Sequence, residues 1–227
     1  MTSLTFFTRV LPACTLLGAA LAGCGSKKTD AAPNGQVGLA LAPNVAPAPV
    51  AGGGTLAFTG GYVLIRKAEF EGTPKAGGAK VMFEREQVTT LDLATGVATP
   101  AFNWVVPPGV YTNVELELDL LEDAGRPTVV AEGRYSPAMG ATLPVRFEYR
   151  GSDGIKTEPK GEVTIPAGSA TFRVGFAPRL WFAPLTAAQF DGAQRVNGTI
   201  LLSKTVNTAL YERVLFQMKE RSFADFN

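Results

Sequence analysis

Residues 111–121 run Tyr-Thr-Asn-Val-Glu-Leu-Glu-Leu-Asp-Leu-Leu, apolar and acidic side chains alternating from Val114 to Leu120. Val114, Leu116, Leu118 and Leu120 fall on one side of an extended chain. Glu115, Glu117 and Asp119 fall on the other. A two-residue period of this kind marks an antiparallel strand with one face in a core and one in water. The pattern spreads in both directions. Upstream, residues 56–58, 62–70, 81–86, 88–93 and 102–106 predict strands. Between them lie a loop at 72–78, turn chemistry at Thr95-Gly96, and the forced turn Pro107-Pro108-Gly109. Downstream, residues 145–150, 162–165, 170–176 and 198–204 continue the series, and residues 151–154 (Gly-Ser-Asp-Gly) predict a hairpin tip.

Eight to ten short strands, with no helix-length pattern separating them, predict an all-β domain, an antiparallel β-sandwich over residues 54–227. Two helical pieces interrupt it. Thr186 and Gln189 have the spacing of a capping box, and Gly192 stands where that short helix should stop. Residues 208–220 place Leu210, Val214, Leu215 and Met218 near one helical face, with Asn207 or Thr208 as the cap. This predicts a C-terminal helix packed on the sandwich.

The first 53 residues have a different character. Arg9 is the only charge before Lys27, and residues 10–22 are a continuous apolar run. A helix that spans a bilayer needs about 20 such residues. Thirteen fit the core of a signal peptide. The run ends in Leu21-Ala22-Gly23-Cys24, which resembles the lipobox of bacterial lipoproteins. The resemblance implies removal of residues 1–23 and a diacylglyceryl group on the Cys24 thiol. It also implies a membrane as partner, reached through that lipid. Gly25, with no aspartate after the cysteine, fits sorting to the outer membrane. Residues 25–53 hold four prolines and no aromatic residue, so residues 24–53 predict a lipidated cysteine followed by a flexible spacer. Residues 37–42 (Val-Gly-Leu-Ala-Leu-Ala) could pair within it only in passing.

Processing after Gly23 would remove Cys14 and Arg9. The remainder has no free thiol and 20 basic against 20 acidic residues. A neutral balance argues against nucleic acid and against a polybasic lipid-surface binder.

A second resemblance rests on Pro107-Pro108-Gly109-Val110-Tyr111, a P-x-G-x-Y turn into a strand. It also rests on the order of Lys67-Ala68-Glu69, Leu91-Asp92-Leu93 and that turn. Over residues 55–121 the chain resembles immunoglobulin-like and transthyretin-like bacterial modules, and a family of uncharacterised lipoprotein domains. The resemblance implies that Gly109 takes a positive φ and that Tyr111 anchors the next strand. It implies no catalytic residue and no cofactor.

The residues themselves point the same way. The chain contains no histidine, which removes Ser-His-Asp and Cys-His machinery and histidine-based metal sites. No phosphate loop or dinucleotide fingerprint occurs. The expectation is a non-catalytic envelope protein that needs no cofactor. Two weaker candidates remain. The row Glu115, Glu117 and Asp119 has calcium-type oxygen ligands, but neighbours on one strand face lie about 7 Å apart. The simpler expectation is a solvated face paired with bases such as Arg146 and Arg150. Trp181, Phe182, Arg179 and Trp104 could form a stacking platform for a glycan, with Trp181 and Phe182 facing opposite ways in an extended segment. These yield the rival functions: a carbohydrate-binding surface lipoprotein, or a hydrolase working with carboxylates alone.

Overall fold

The computed structural model describes residues 35–41 and 46–226. Cys24, the signal segment 1–23 and residues 24–34 lie outside the described residues.

The chain is mostly strand, as the alternation predicts. In order it forms β1 (Gly35–Leu41), β2 (Ala48–Pro49), β3 (Thr55–Pro74), β4 (Val81–Asp92), β5 (Ala98–Thr99), β6 (Asn103–Val106), β7 (Gly109–Leu120), β8 (Val129–Ser136), β9 (Leu143–Tyr149), β10 (Ile155–Thr157), β11 (Val163–Ile165) and β12 (Ser169–Gly175). Two short helices follow, α1 (Pro178–Trp181) and α2 (Ala187–Asp191). Then come β13 (Arg195–Val196), β14 (Thr199–Leu202), α3 (Thr208–Glu220) and β15 (Phe223–Phe226).

Strand β3 organises the larger sheet. Sequence predicts two strands over its span, but the 20 residues form one, bulged near Arg66 and Gly72 where it meets β7 and near Thr59 where it meets β8. Its first half pairs with β8 and its second half with β7, while β4 covers the opposite edge of its second half. The neighbours repeat this division: β9 lies against β8, and β10 against β7. Residues 151–154 therefore link two strands that do not pair with each other, and they are not the hairpin tip their composition predicts. Where the halves of β3 meet, Val63, Leu64 and Ile65 are all buried, so this stretch loses the alternation. Gly61 lies just before them at φ 127°. A Cβ there would run into the backbone carbonyl of Val130 on β8, so only glycine fits.

The smaller sheet runs β15-β12-β1-β6. Its presence corrects two expectations. Residues 35–41, read as spacer, form an inner strand. β1 pairs with β12 in parallel and with β6 antiparallel, and buries Val37 and Leu39. Composition misleads here because Gly and Ala lower the apparent burial of a strand whose small residues are needed. A Cβ on Gly35 would approach Ile165, the Val106 carbonyl and the Pro166 carbonyl to 2.8–2.9 Å. The second correction concerns pairing. β1–β12 and β14–β9 are parallel, so the strands are not antiparallel throughout. Long connections make these pairs feasible; the β9-to-β14 connection carries α1 and α2.

The turn and cap chemistry is mostly as read. Asp92 Oδ1 accepts from the backbone N–H of Ala94 and of Thr95, which closes the turn through Gly96 at φ 76°. Thr186 and Gln189 form the reciprocal capping box at the start of α2. Helix α3 spans residues 208–220 as predicted and buries Tyr211, Val214 and Met218. Its N-cap differs from expectation. Asn207 sits at φ 51° and does not cap with its side chain. Its amide instead donates to the carbonyls of Gln194 and Leu201, tying two loops together. Tyr111 anchors β7 by donating to the Pro107 carbonyl at 2.8 Å, but Gly109 does not take the positive φ implied for it.

Candidate functional site

Charge, aromatic surface and open space concentrate in three places: the acidic row of β7, the aromatic set, and a cleft beside α3.

The acidic row lies on the outer face of the larger sheet, as its alternation predicts. Its registers bring like charges together. Glu117 stands opposite Glu69, and Glu115 opposite Glu71. Directly opposed like charges destabilise a strand pair unless cations intervene. Here they do. Lys156 on β10 reaches Glu115 and Glu117, each at 2.9 Å. Lys67 on β3 reaches Glu69 at 3.0 Å, Asp119 at 3.7 Å and Glu84 at 3.8 Å. Arg66 reaches Asp119 at 3.1 Å, and Lys80 pairs with Glu71. Hydrogen bonding to Glu69 raises the Lys67 pKa, against the opposing effect of burial. Hydrogen bonds to Glu115 and Glu117 raise that of Lys156. The expected partners are corrected: Arg146 is engaged with Glu132 on β8 and with Glu148 on its own strand, and among the described residues no ion pair joins Arg150 to the row. Among the described residues no three acidic side chains converge on a point where an ion could sit. The arrangement is a neutralised, half-buried charge ladder. It ends at an open cleft of about 530 Å³, bordered by Lys80, Thr112, Asn113, Glu115, Glu158 and Glu162.

The aromatic set is brought partly together, but inside the protein. Residues 178–181 turn into α1, with Pro178 in its first turn, rather than staying extended. The helical turn directs both neighbouring rings inward: Trp181 is fully buried and Phe182 is 3% exposed. Trp181 packs near Phe147 and Phe176, and Phe182 stands edge-on to Phe58 at 5.0 Å. Trp104 is buried on β6 against Phe102. Arg179 points to solvent from α1. No face of these rings is open for a sugar to stack on. Because both tryptophans of the chain are buried, iodide should barely quench native emission. Quenching should rise several-fold in denaturant, as Stern–Volmer plots in both states would check.

The third set was not visible as a site in sequence. Asp153, read there as a turn residue, accepts from the Tyr149 hydroxyl at 2.8 Å and from Lys219 Nζ of α3 at 2.6 Å. Tyr211 and Lys204 also line this cleft, of about 400 Å³. The Lys219 hydrogen bond, then that of Tyr149, lowers the Asp153 pKa below its ordinary 3.8. Burial, and then Asp153, push the Tyr149 hydroxyl up. A carboxylate with a depressed folded pKa adds stability that is present above the unfolded pKa and lost as pH falls through the folded one. Acidification below about 4 should therefore loosen α3. Asp153→Asn should do the same at neutral pH, with faster amide exchange across residues 211–218. Global stability should change by less than about 1 kcal/mol, since the pair is largely solvated.

Comparison with protein-family models, with curated proteins and with solved structures found no match to this chain.

Proposed function

We propose that this chain is an exported, lipid-anchored envelope protein whose β domain is non-catalytic and serves binding or support at the membrane. The carrying observation is the 13-residue apolar run that ends in Leu21-Ala22-Gly23-Cys24. Cys24 takes the lipid, residues 1–23 are removed, and Gly25 directs the protein to the outer membrane.

The domain is an immunoglobulin-like or transthyretin-like β-sandwich. In support, Val37, Trp104, Val106 and Val174 of the smaller sheet share one core with Phe58, Phe70, Leu116 and Phe147 of the larger. A non-catalytic role is supported by the lack of histidine and by the lysine and arginine partners that already neutralise the acidic row.

Growth with labelled palmitate tests the reading. The wild-type chain should carry label. Cys24→Ala should lose it, accumulate at the unprocessed length and leave the membrane fraction. An unlabelled wild-type chain, processed and fractionated like Cys24→Ala, would refute the anchor.

A further inference from the structure

The two ends of β3 meet different loops, and the chain enters beside the end other than the one its composition indicates. At the Pro74 end, Tyr111 of β7 pairs with Pro74, and Val163 of β11 pairs with Tyr111. Gly35, the first residue of β1, belongs to this end: it pairs with Val106 and lies against Ile165 and Pro166. At the Thr55 end, Thr55 pairs with Ser136 and with Pro49, next to the loop that carries Met139. A straight strand of 20 residues would separate these ends by up to about 65 Å.

With residues 24–53 as a spacer, the domain would hang from its Thr55 end on a chain able to extend about 100 Å. With β1 docked, it hangs from its Pro74 end, on a chain that spans at most about 40 Å between Cys24 and Gly35 whatever its conformation. We infer that the Pro74 end is the membrane-facing surface of the domain, and that its partner there is the lipid headgroup layer holding the Cys24 lipid. The loops presented are 75–80, 107–108, 158–162 and 166–168. The Met139 loop and the start of β3 point away from the bilayer. This inference rests on the lipid anchor proposed above, and it adds the polarity of the domain.

The surface fits a position set by a short leash and not by charge attraction. Its loops carry Lys75, Lys80 and Lys160 beside Glu158 and Glu162, with Lys75 and Glu162 paired at 2.8 Å. Nearly balanced charge gives little pull toward anionic lipid, so the geometry should persist when salt is raised.

The test uses two exposed positions, Ala76 at the Pro74 end and Met139, which is 90% exposed, at the other. Ala76→Cys and Met139→Cys, in chains otherwise lacking a free thiol once Cys24 is acylated, are labelled with a fluorescent donor. The full lipidated chain is placed in phosphatidylethanolamine–phosphatidylglycerol vesicles that contain acceptor-labelled headgroups. Energy transfer should be about twofold or more greater from position 76 than from position 139, at low and at high salt. Equal or reversed transfer in a chain that floats with the vesicles would overturn the polarity and leave the anchor standing. A chain that does not float would remove the anchor. In that case the labelled chains, with a polyhistidine tag in place of residues 1–24 and held on nickel-chelating lipid, decide the polarity by the same comparison.

Discussion

Val37→Asp should lower stability by about 3 kcal/mol or more, because it places a carboxylate without a partner at a fully buried position. Val37 pairs with Ala170 on one side and Trp104 on the other. Its strand completes a sheet in which Trp104, Val106 and Val174 supply the inward face. Among the described residues no lysine or arginine is buried in the core to compensate the charge. The midpoint of urea unfolding, measured on the chain without residues 1–24, reads the effect. A solvated spacer would instead tolerate the substitution within about 0.5 kcal/mol. The experiment therefore separates a structural strand from a linker, and the polarity of the domain depends on the same distinction. A midpoint unchanged from wild type would remove β1 from the fold.

The second large effect is expected at Trp181. Trp181→Ala should cost about 3–5 kcal/mol, since the ring is fully buried beside Phe147 and Phe176 and its loss leaves a cavity. For a domain of this size that corresponds to a fall of about 10 °C in Tm. Trp181→Phe should cost far less. Most of the packing survives, and the indole N–H that it removes has no acceptor among the described residues. Thermal unfolding followed by circular dichroism would rank the three chains. A residue serving as an exposed stacking platform would show the converse, with both substitutions leaving Tm unchanged.

The two substitutions also mark where local reading stops. An extended segment would send Trp181 and Phe182 to opposite sides. In the folded chain Pro178 occupies the first turn of α1, and that one turn moves both rings to the inside. Prolines and the lack of aromatic residues make residues 25–53 look like spacer, yet Gly35 is what allows β1 to approach Ile165 and Val106. In both cases the deciding contacts come from residues far away in sequence. The ion pairs behave alike. The alternation of β7 assigns Glu115, Glu117 and Asp119 to the wet face, but which cation meets them depends on the strands that β7 adjoins. Beside these three residues those are β3 and β10, carrying Arg66, Lys67 and Lys156, and not β9 with Arg146.

The all-β class, the two faces of β7, the capping box of α2, the span of α3 and the anchoring turn at Tyr111 are legible in local patterns. Each depends on residues within about one turn or a few strand positions of one another, so neighbours alone encode it. Long-range packing alone places residues 35–41 in a sheet, turns the tryptophans inward and brings Asp153 to Lys219 of α3. These depend on which distant segments meet. That choice is made by the total burial of the folded chain, to which no single window of sequence has access.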